Sequence, residues 1–301
     1  MVDLKLEIPD SFWKEEERCG YRVSEETKRI WAVQLDLTNE LLRVCKEHNL
    51  TIFADSGTLL GAIRHQGYIP WDDDIDFMME RKDYDKLCQI APRAFQPPYF
   101  FQTEETDPGS IYFHAKLRNS QTTGILKSQY NGRCHFNQGI FIDVFPFDAV
   151  PDDIEERRMF IERISKLRLR ALDYSSLIFR YGKTDSLKRF VGNSLRAVVS
   201  KVSPKNIFYT RLQKEARKYF GFNTKQIGGV TYSDDWFYDK SLYLETEEVP
   251  YEFISLTVPK HPEVVLEYMY GDWRTPVIGR GSHGEVVFDV DRPYTEYIKE
   301  I

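Results

Sequence analysis

Cysteine is scarce and scattered: Cys19, Cys45, Cys88 and Cys134 form no C-x-x-C pair and have no histidine at zinc-ligand spacing. That pattern argues against a disulfide framework or a zinc site, and the four read as reduced thiols of a cytoplasmic protein. Long apolar runs are lacking as well. No stretch approaches the ~18 uncharged apolar residues of a membrane span, and the segment from Met1 to Glu7 has no signal-peptide core. A soluble, cytoplasmic chain is expected. Nor is there an excess of positive charge: 41 Lys and Arg face 47 Asp and Glu, for a net charge of −6. This is the wrong sign for a protein that lives on phosphate backbones, so no nucleic acid is expected as a partner. Internal repeats and low-complexity tracts are missing too.

Aromatics are plentiful, with 20 Phe, 18 Tyr and 5 Trp among 301 residues. Together with 42% hydrophobic and 29% charged residues, they exclude a disordered, collagen-like or coiled-coil chain. The length leaves room for one large domain or for a core with a second lobe.

Periodicity predicts a mixed architecture. Ser24, followed by Glu25 and Glu26, reads as an N-cap, and Ile30, Val33, Leu37, Leu41 and Val44 repeat at helical spacing as far as about His48. The β-rich run Leu50 to Ala54 predicts a strand, the segment Asp55 to Thr58 a tight turn, and Leu59 to Ile63 a short helix. A strand from Asp74 to Met79 should precede a helix carrying Tyr84, Leu87, Ile90 and Ala91, with Pro92 and Pro97-Pro98 as punctuation. Strands are expected at 99–102, 111–117 and 139–144, then helices at 152–176, 186–202 and 204–219. The tail predicts strands at 228–232, 253–258 and 285–290 around a helix from His261 to Tyr270. The expected fold is α+β (α/β in the broad sense): an N-terminal extension over 1–23, a mixed-sheet core over 24–150, and over 151–301 a helical lobe whose C-terminal strands complete the site.

The segment Pro70-Trp71-Asp72-Asp73-Asp74-Ile75-Asp76 puts four carboxylates into five positions. On a strand, Asp72, Asp74 and Asp76 would share one face, where like charges repel. A cation relieves that, and an oxygen-only site suits Mg²⁺ or Mn²⁺. The competing reading is a solvated acidic turn; Trp71 and Ile75-Phe77-Met78-Met79, which favour burial, weigh against it. An EF-hand loop is set aside because its sixth position would be Phe77 where the turn needs Gly, and its twelfth Asp83 rather than Glu.

Two further pieces sharpen the pattern. Ser56, Gly57 and Thr58 lie between a strand and a helix, where small residues let backbone N–H groups approach phosphate. In Gly139 to Phe145 an apolar strand is interrupted by Asp143, costly to bury unless paired or bound to metal; an Asp bonded to backbone at a strand end is the alternative. Arg64 with His65, and Lys116 with Arg118 on one strand face, are candidate phosphate-binding cations, against a surface-charge reading that stays open for Arg64. His283, between Gly281-Ser282 and Gly284, can reach phosphate from a loop, whereas His48, His114, His135 and His261 read as structural or surface residues. The stretch 186–202 is a basic amphipathic helix that can lie on a membrane or pack on a core.

The order strand, Gly-Ser/Thr turn, helix, Asp-x-Asp strand and later Asp strand resembles the nucleotidyltransferase superfamily. More closely, Asp55 to His65, Ile69 to Asp76, Lys116-Leu117-Arg118 with Thr122-Thr123, and Gly139 to Pro146 resemble the LicD family, phosphocholine transferases related to the fukutin proteins. Tyr270-Gly271-Asp272-Trp273 with Pro276, and His283, resemble its C-terminal signature, while 151–260 resembles it little. The resemblance implies a nucleotidyltransferase fold and metal-dependent transfer of phosphocholine from CDP-choline to a cell-surface glycan or its lipid-linked precursor, with peripheral membrane contact as a further possibility. The cysteine-rich zinc element of vertebrate relatives is not apparent. On this reading Asp74, Asp76 and Asp143, with Asp72, hold one or two Mg²⁺ ions, and Ser56, Gly57, Thr58, Arg64, Lys116, Arg118 and His283 hold the donor. Aromatic faces suit a quaternary amine, and Tyr68, Trp71, Tyr112, Phe141 and Trp236 are candidates among which the sequence does not choose. The rivals are nucleotide transfer from an NTP, a glycosyltransferase and a catalytically silent metal-binding scaffold.

Overall fold

The first long element shows how local signals and tertiary burial agree. Helix α1 (Glu25–Glu47) starts where the Ser24 side chain accepts the Thr27 N–H at 3.1 Å, with Glu25 and Glu26 in the first turn. Trp31, Val33, Leu37, Leu41 and Val44 are fully buried on it, and so are Gln34 and Asp36, which bond to segments far away in sequence. The structure, a computed structural model, describes residues 2–110, 112–126, 136–179, 205–279 and 286–298. The expected helix over 186–202 and His283 lie outside these residues.

Before α1 come β1 (Glu16–Arg18) and β2 (Tyr21–Val23); after it come β3 (Phe53–Ala54), α2 (Ser56–His65), β4 (Asp76–Glu80) and α3 (Arg81–Ala94). Next follow β5 (Tyr99–Gln102), β6 (Ala115–Asn119), β7 (Thr123–Leu126), β8 (Ile140–Val150), α4 (Ile154–Phe179) and α5 (Ile207–Ala216). The chain continues through β9 (Gln226–Gly228), β10 (Phe237–Asp239), β11 (Thr246–Tyr251), β12 (Ile254–Pro259), α6 (Pro262–Tyr270), β13 (Val286–Asp289) and α7 (Tyr294–Tyr297). The mixed α+β class read from the sequence is the observed one.

A seven-stranded mixed sheet is organised around β8. β4 runs parallel to β8 with Asp76 opposite Asp143, and β3 pairs antiparallel with β4. β6 pairs antiparallel with the first half of β8, placing Lys116 opposite Asp143, and β9 pairs with its last three residues. The apolar run in β8 fits this central place, with α1 and α3 packed against it. One buried apolar cluster joins α1, β4, β8 and the residues around β11 and β12. A second gathers Phe160 and Ile164 of α4 and Tyr209 and Leu212 of α5 around Val150 at the end of β8. No described helix is long and apolar enough to cross a membrane.

Four expectations need correction. Ser56, Gly57 and Thr58 are not a turn ahead of the helix but its first turn, since α2 starts at Ser56 with Asp55 as its N-cap residue. Asp72 to Ile75 are not strand: β4 begins at Asp76, because α1 takes the preceding loop, the Trp31 indole donating to the Asp72 carbonyl at 3.0 Å and the Gln34 amide to that of Asp73 at 2.7 Å. Pro92 does not end its helix; α3 runs on to Ala94, since a proline so near the end forfeits only one hydrogen bond. The strand expected at 228–232 ends at Gly228, beyond which a turn bonds Tyr232 and Ser233 back to Gly229. Strand β11 carried no signal, for Glu247, Glu248 and Pro250 depress β propensity, and it pairs only with β12 among the described strands.

Candidate active site

Two bonds tie the β3–α2 turn to the start of β4, and a third ties that start to β8. Asp55 N–H donates to the Asp76 carbonyl at 3.0 Å, the Asp76 N–H donates to Thr58 Oγ1 at 2.9 Å, and the Asp143 N–H donates to the Ile75 carbonyl at 2.9 Å. Ser56 opens α2 at a φ of 50°, a left-handed conformation that costs a non-glycine residue roughly 1 kcal/mol or more. Gly57 has a different reason to be small. A Cβ there would lie 2.6 Å from Asp72 Oδ2, so only glycine admits the carboxylate so close to the helix N-terminus.

With its backbone held by Trp31 and Gln34, the loop brings its carboxylates together. One oxygen each of Asp72, Asp73 and Asp74 lie within 4.8 Å of one another, a group that includes the unforeseen Asp73 and leaves out Asp76 and Asp143. Burial, then the charges of Asp74 and Asp73, push the Asp72 carboxyl up to about 8. Asp76 is raised well above the usual range by burial and by Asp74, Asp143, Asp55 and Asp72. Asp55, fully buried, is pushed up to about 6 by desolvation, and its Oδ1 has no hydrogen-bond partner. Carboxylates that raise one another in this way have the chemistry of a divalent-cation site: oxygen donors only, and excess negative charge.

Asp143 behaves differently. Burial opposes its charge, but Lys116 and His114 outweigh burial and hold it ionised well below the usual carboxylate range. The Lys116 ammonium donates directly to Asp143 Oδ1, and His114 Nε2 lies 3.1 Å from the same oxygen. His114, read from sequence as structural or surface, is thus part of the cluster; only its place one residue before β6 and two before Lys116 signals this. Arg118 donates to Gln102 Oε1 at 2.6 Å and to the Gly139 carbonyl at 2.7 Å. Lys116 and Arg118 do share one strand face, as expected, and both sit over the Phe141 ring.

A cavity of 670 Å³ gathers the site. Ser56, Gly57, Arg64, Asp72, Asp74 and Asp76 line it together with Trp71, Trp236, Tyr238, Tyr268, Tyr270 and Trp273. Lys116, Arg118, Thr58 and Asp143 lie outside that lining. Arg64 is the cation among the described lining residues; its guanidinium donates to the Trp273 carbonyl at 2.7 Å and to His65 Nε2 at 2.9 Å. Of the aromatic candidates, Trp71 and Trp236 reach the cavity. Tyr68 is buried and stacked on Trp31 at 4.2 Å, while Tyr112 and Phe141 carry the chain's own Lys116 and Arg118. Tyr238 and Tyr268 were not foreseen, since single aromatics far apart in sequence give no periodic signal.

Comparisons with known proteins show what the chain is similar to. Residues 49–177, which hold the turn, the acidic loop and Asp143, match the family model described as LicD/FKTN/FKRP, nucleotidyltransferase domain. Across most of the chain, the similarity is to the lipopolysaccharide cholinephosphotransferase LicD of Haemophilus influenzae: 24% identity over 253 residues, covering 80% of this chain and 88% of that protein. An uncharacterized protein of Rickettsia typhi is 40% identical over 79 residues, 26% of this chain and 25% of its own length, and one of Rickettsia prowazekii is 41% identical over 80 residues, 26% and 29%. The resemblance to the LicD family is shown by the family model and by the long match alike.

Proposed function

We propose that the chain transfers phosphocholine, or a related phospho-alcohol, from a CDP-linked donor to a hydroxyl of a cell-surface glycan or its lipid-linked precursor, on a nucleotidyltransferase-type core. The observation that carries this reading is the shared cavity in which Asp72, Asp74 and Asp76 meet the N-terminus of α2. Mg²⁺ or Mn²⁺ held by Asp72, Asp74 and Asp76, with Asp143 beside Asp76, would neutralise the donor diphosphate and polarise the phosphorus under attack. The Ser56 and Gly57 end of α2 and the Arg64 guanidinium bind phosphate oxygens. Lys116 and His114 keep Asp143 ionised and fixed, and Trp31 and Gln34 fix the acidic loop, so the carboxylates are preorganised.

The acceptor oxygen attacks the phosphorus that bears choline, the bond from that phosphorus to the bridging oxygen breaks, and CMP leaves. The acceptor proton passes to a carboxylate of the cluster. Asp143, whose Oδ1 accepts from Lys116 and lies 3.1 Å from His114 Nε2, is held ionised and is the least suited of these carboxylates to take it. The test is to incubate the protein with Mg²⁺ and a glycan acceptor, supplying CDP-choline or each NTP, and to weigh the products. CMP with a phosphocholine-bearing acceptor is the expected result. Pyrophosphate from an NTP, with no CMP from CDP-choline, would overturn the reading in favour of nucleotide transfer.

A further inference from the structure

We propose that Trp236, Tyr238, Tyr268 and Tyr270 form the subsite for a quaternary ammonium head group, separate from the phosphate-binding end of the same cavity. The proposal rests on the transferase reading above and adds to it the residues that select the head group. Exposure is the first observation. Trp236, Tyr268 and Tyr270 are 43%, 59% and 42% exposed although they line a cavity, and large aromatics left open beside a recess mark a contact surface. Tyr238, buried, packs edge-to-face on Tyr268 at 5.5 Å and fixes that ring.

The second observation concerns which ring faces the chain's own cations already occupy. Lys116 sits over Tyr112 and Phe141, Arg118 over the same two rings, and Arg274 over Trp273 at 4.3 Å. Among the described residues no Lys or Arg lies over Trp236, Tyr238, Tyr268 or Tyr270. Charge supplies the third. Burial first, then the carboxylates of Asp55, Asp76, Asp72 and Asp74, raise the Tyr270 hydroxyl, so this ring lies within the field of those carboxylates. A fixed cation with no N–H donor is recognised by π faces within a negative field; a primary ammonium would instead be drawn to carboxylate acceptors. The cavity brings such π faces and these carboxylates together. A donor with phosphate at α2 and Arg64 would therefore present its quaternary end to these rings.

The experiment is direct titration of the purified protein, followed by calorimetry, with phosphocholine, phosphoethanolamine and CMP as separate probes. The variants are Trp236→Ala and Tyr268→Ala, both at exposed positions, with Trp236→Phe as the conservative change. Phosphocholine should bind wild type more tightly than phosphoethanolamine. Each alanine variant should weaken phosphocholine roughly tenfold, as expected for loss of one cation–π face, and leave CMP affinity unchanged, while Trp236→Phe should keep most of the affinity that Trp236→Ala loses. If phosphocholine binds wild type and both alanine variants equally, or if CMP suffers the loss instead, the subsite is overturned while the transferase reading survives; the second result would make the rings a base platform. If wild type binds CMP but no phosphocholine, the subsite and the head-group part of the transferase reading fall together.

Discussion

Two carboxylate-rich regions of this molecule solve the cost of burial in opposite ways. Where α3, β8 and the end of α5 meet, Asp148 receives two bonds from the Arg81 guanidinium, both 2.7 Å, and Asp85 receives two from Arg217, at 2.8 and 2.7 Å. Gln213 fills the space between, accepting from Arg81 at 3.1 Å and from Arg217 at 3.2 Å. Every charge there meets its opposite within the chain. In the Asp72–Asp76 loop the carboxylates meet one another instead, with Trp31 and Gln34 holding the loop's backbone, and burial and neighbouring carboxylates lead the causes that raise Asp72 and Asp76. The first arrangement joins two parts of the fold. The second gathers carboxylates that raise one another's proton affinity. Asp143 stands between these solutions: it is next to Asp76 in the sheet, yet paired like Asp148.

The comparison predicts opposite phenotypes. Asp76→Asn should lower turnover by about 10³-fold or more, on the scale of losing a central electrostatic group, while the metal-free fold stays intact or melts at a higher temperature. Asp148→Asn should act the other way, with unfolding free energy reduced by about 3–5 kcal/mol because a buried Arg81 charge loses its partner, and with a far smaller loss of kcat in the folded fraction. Turnover and denaturant titration on both variants decide it. If Asp148→Asn lowered kcat as far as Asp76→Asn at unchanged stability, the distinction between the regions would fail.

Acidity offers a second, smaller separation. In the native protein the Asp72 and Asp55 carboxyls are raised to about 8 and about 6 from an ordinary 3.8, so the folded state binds more protons than the unfolded one across that window. Stability of the metal-free protein should therefore fall as pH rises from about 4 to about 8. Asp143, shifted downward, acts only below that window. Mg²⁺ should restore stability most at the high end, and Asp72→Asn should flatten the slope. A melting temperature that rises steadily through the same range, with no effect of Mg²⁺, would contradict the picture.

Much of this site was legible in the sequence. Asp72, Asp74, Asp76, Ser56 and Gly57 do converge, because a strand–turn–helix and an acidic run between apolar residues have few ways to pack. What escaped was of two kinds. The face-sharing expected of Asp72, Asp74 and Asp76 on one strand is achieved by a loop instead, since the side chains of Trp31 and Gln34, some forty positions earlier on α1, satisfy its carbonyls. No local pattern announces such a bond. The aromatic part of the cavity comes from β10 and α6, and nothing in residues 236–273 relates them to residue 72 before the chain folds. The Arg81–Asp148 pair was missed for the same reason, as charges 67 positions apart look like any others.

The smallest expected effect tests that long-range support directly. Gln34 is 1% exposed, donates to the Asp73 carbonyl at 2.7 Å and accepts from the Tyr68 hydroxyl at 3.1 Å. Its bonds go to the loop's backbone and to Tyr68 rather than to a carboxylate of the cluster, so it is a positioning residue. Gln34→Ala leaves a buried carbonyl and a buried hydroxyl without these partners, which should cost about 1–3 kcal/mol of stability. The same loss loosens the loop where Asp72, Asp73 and Asp74 must hold their spacing, so the Mg²⁺ concentration giving half-maximal activity should rise severalfold and kcat should fall roughly tenfold, in line with supporting contacts around metal sites. Gln34→Glu keeps an acceptor for Tyr68 but presents a carboxylate oxygen to the Asp73 carbonyl, so it should recover the hydroxyl bond and not the Mg²⁺ requirement. A purely structural glutamine would show the stability loss with an unchanged Mg²⁺ requirement in both variants. That result would mean that the acidic loop keeps its geometry without α1, and that the amide of Gln34 serves the packing of Tyr68 rather than the spacing of the carboxylates.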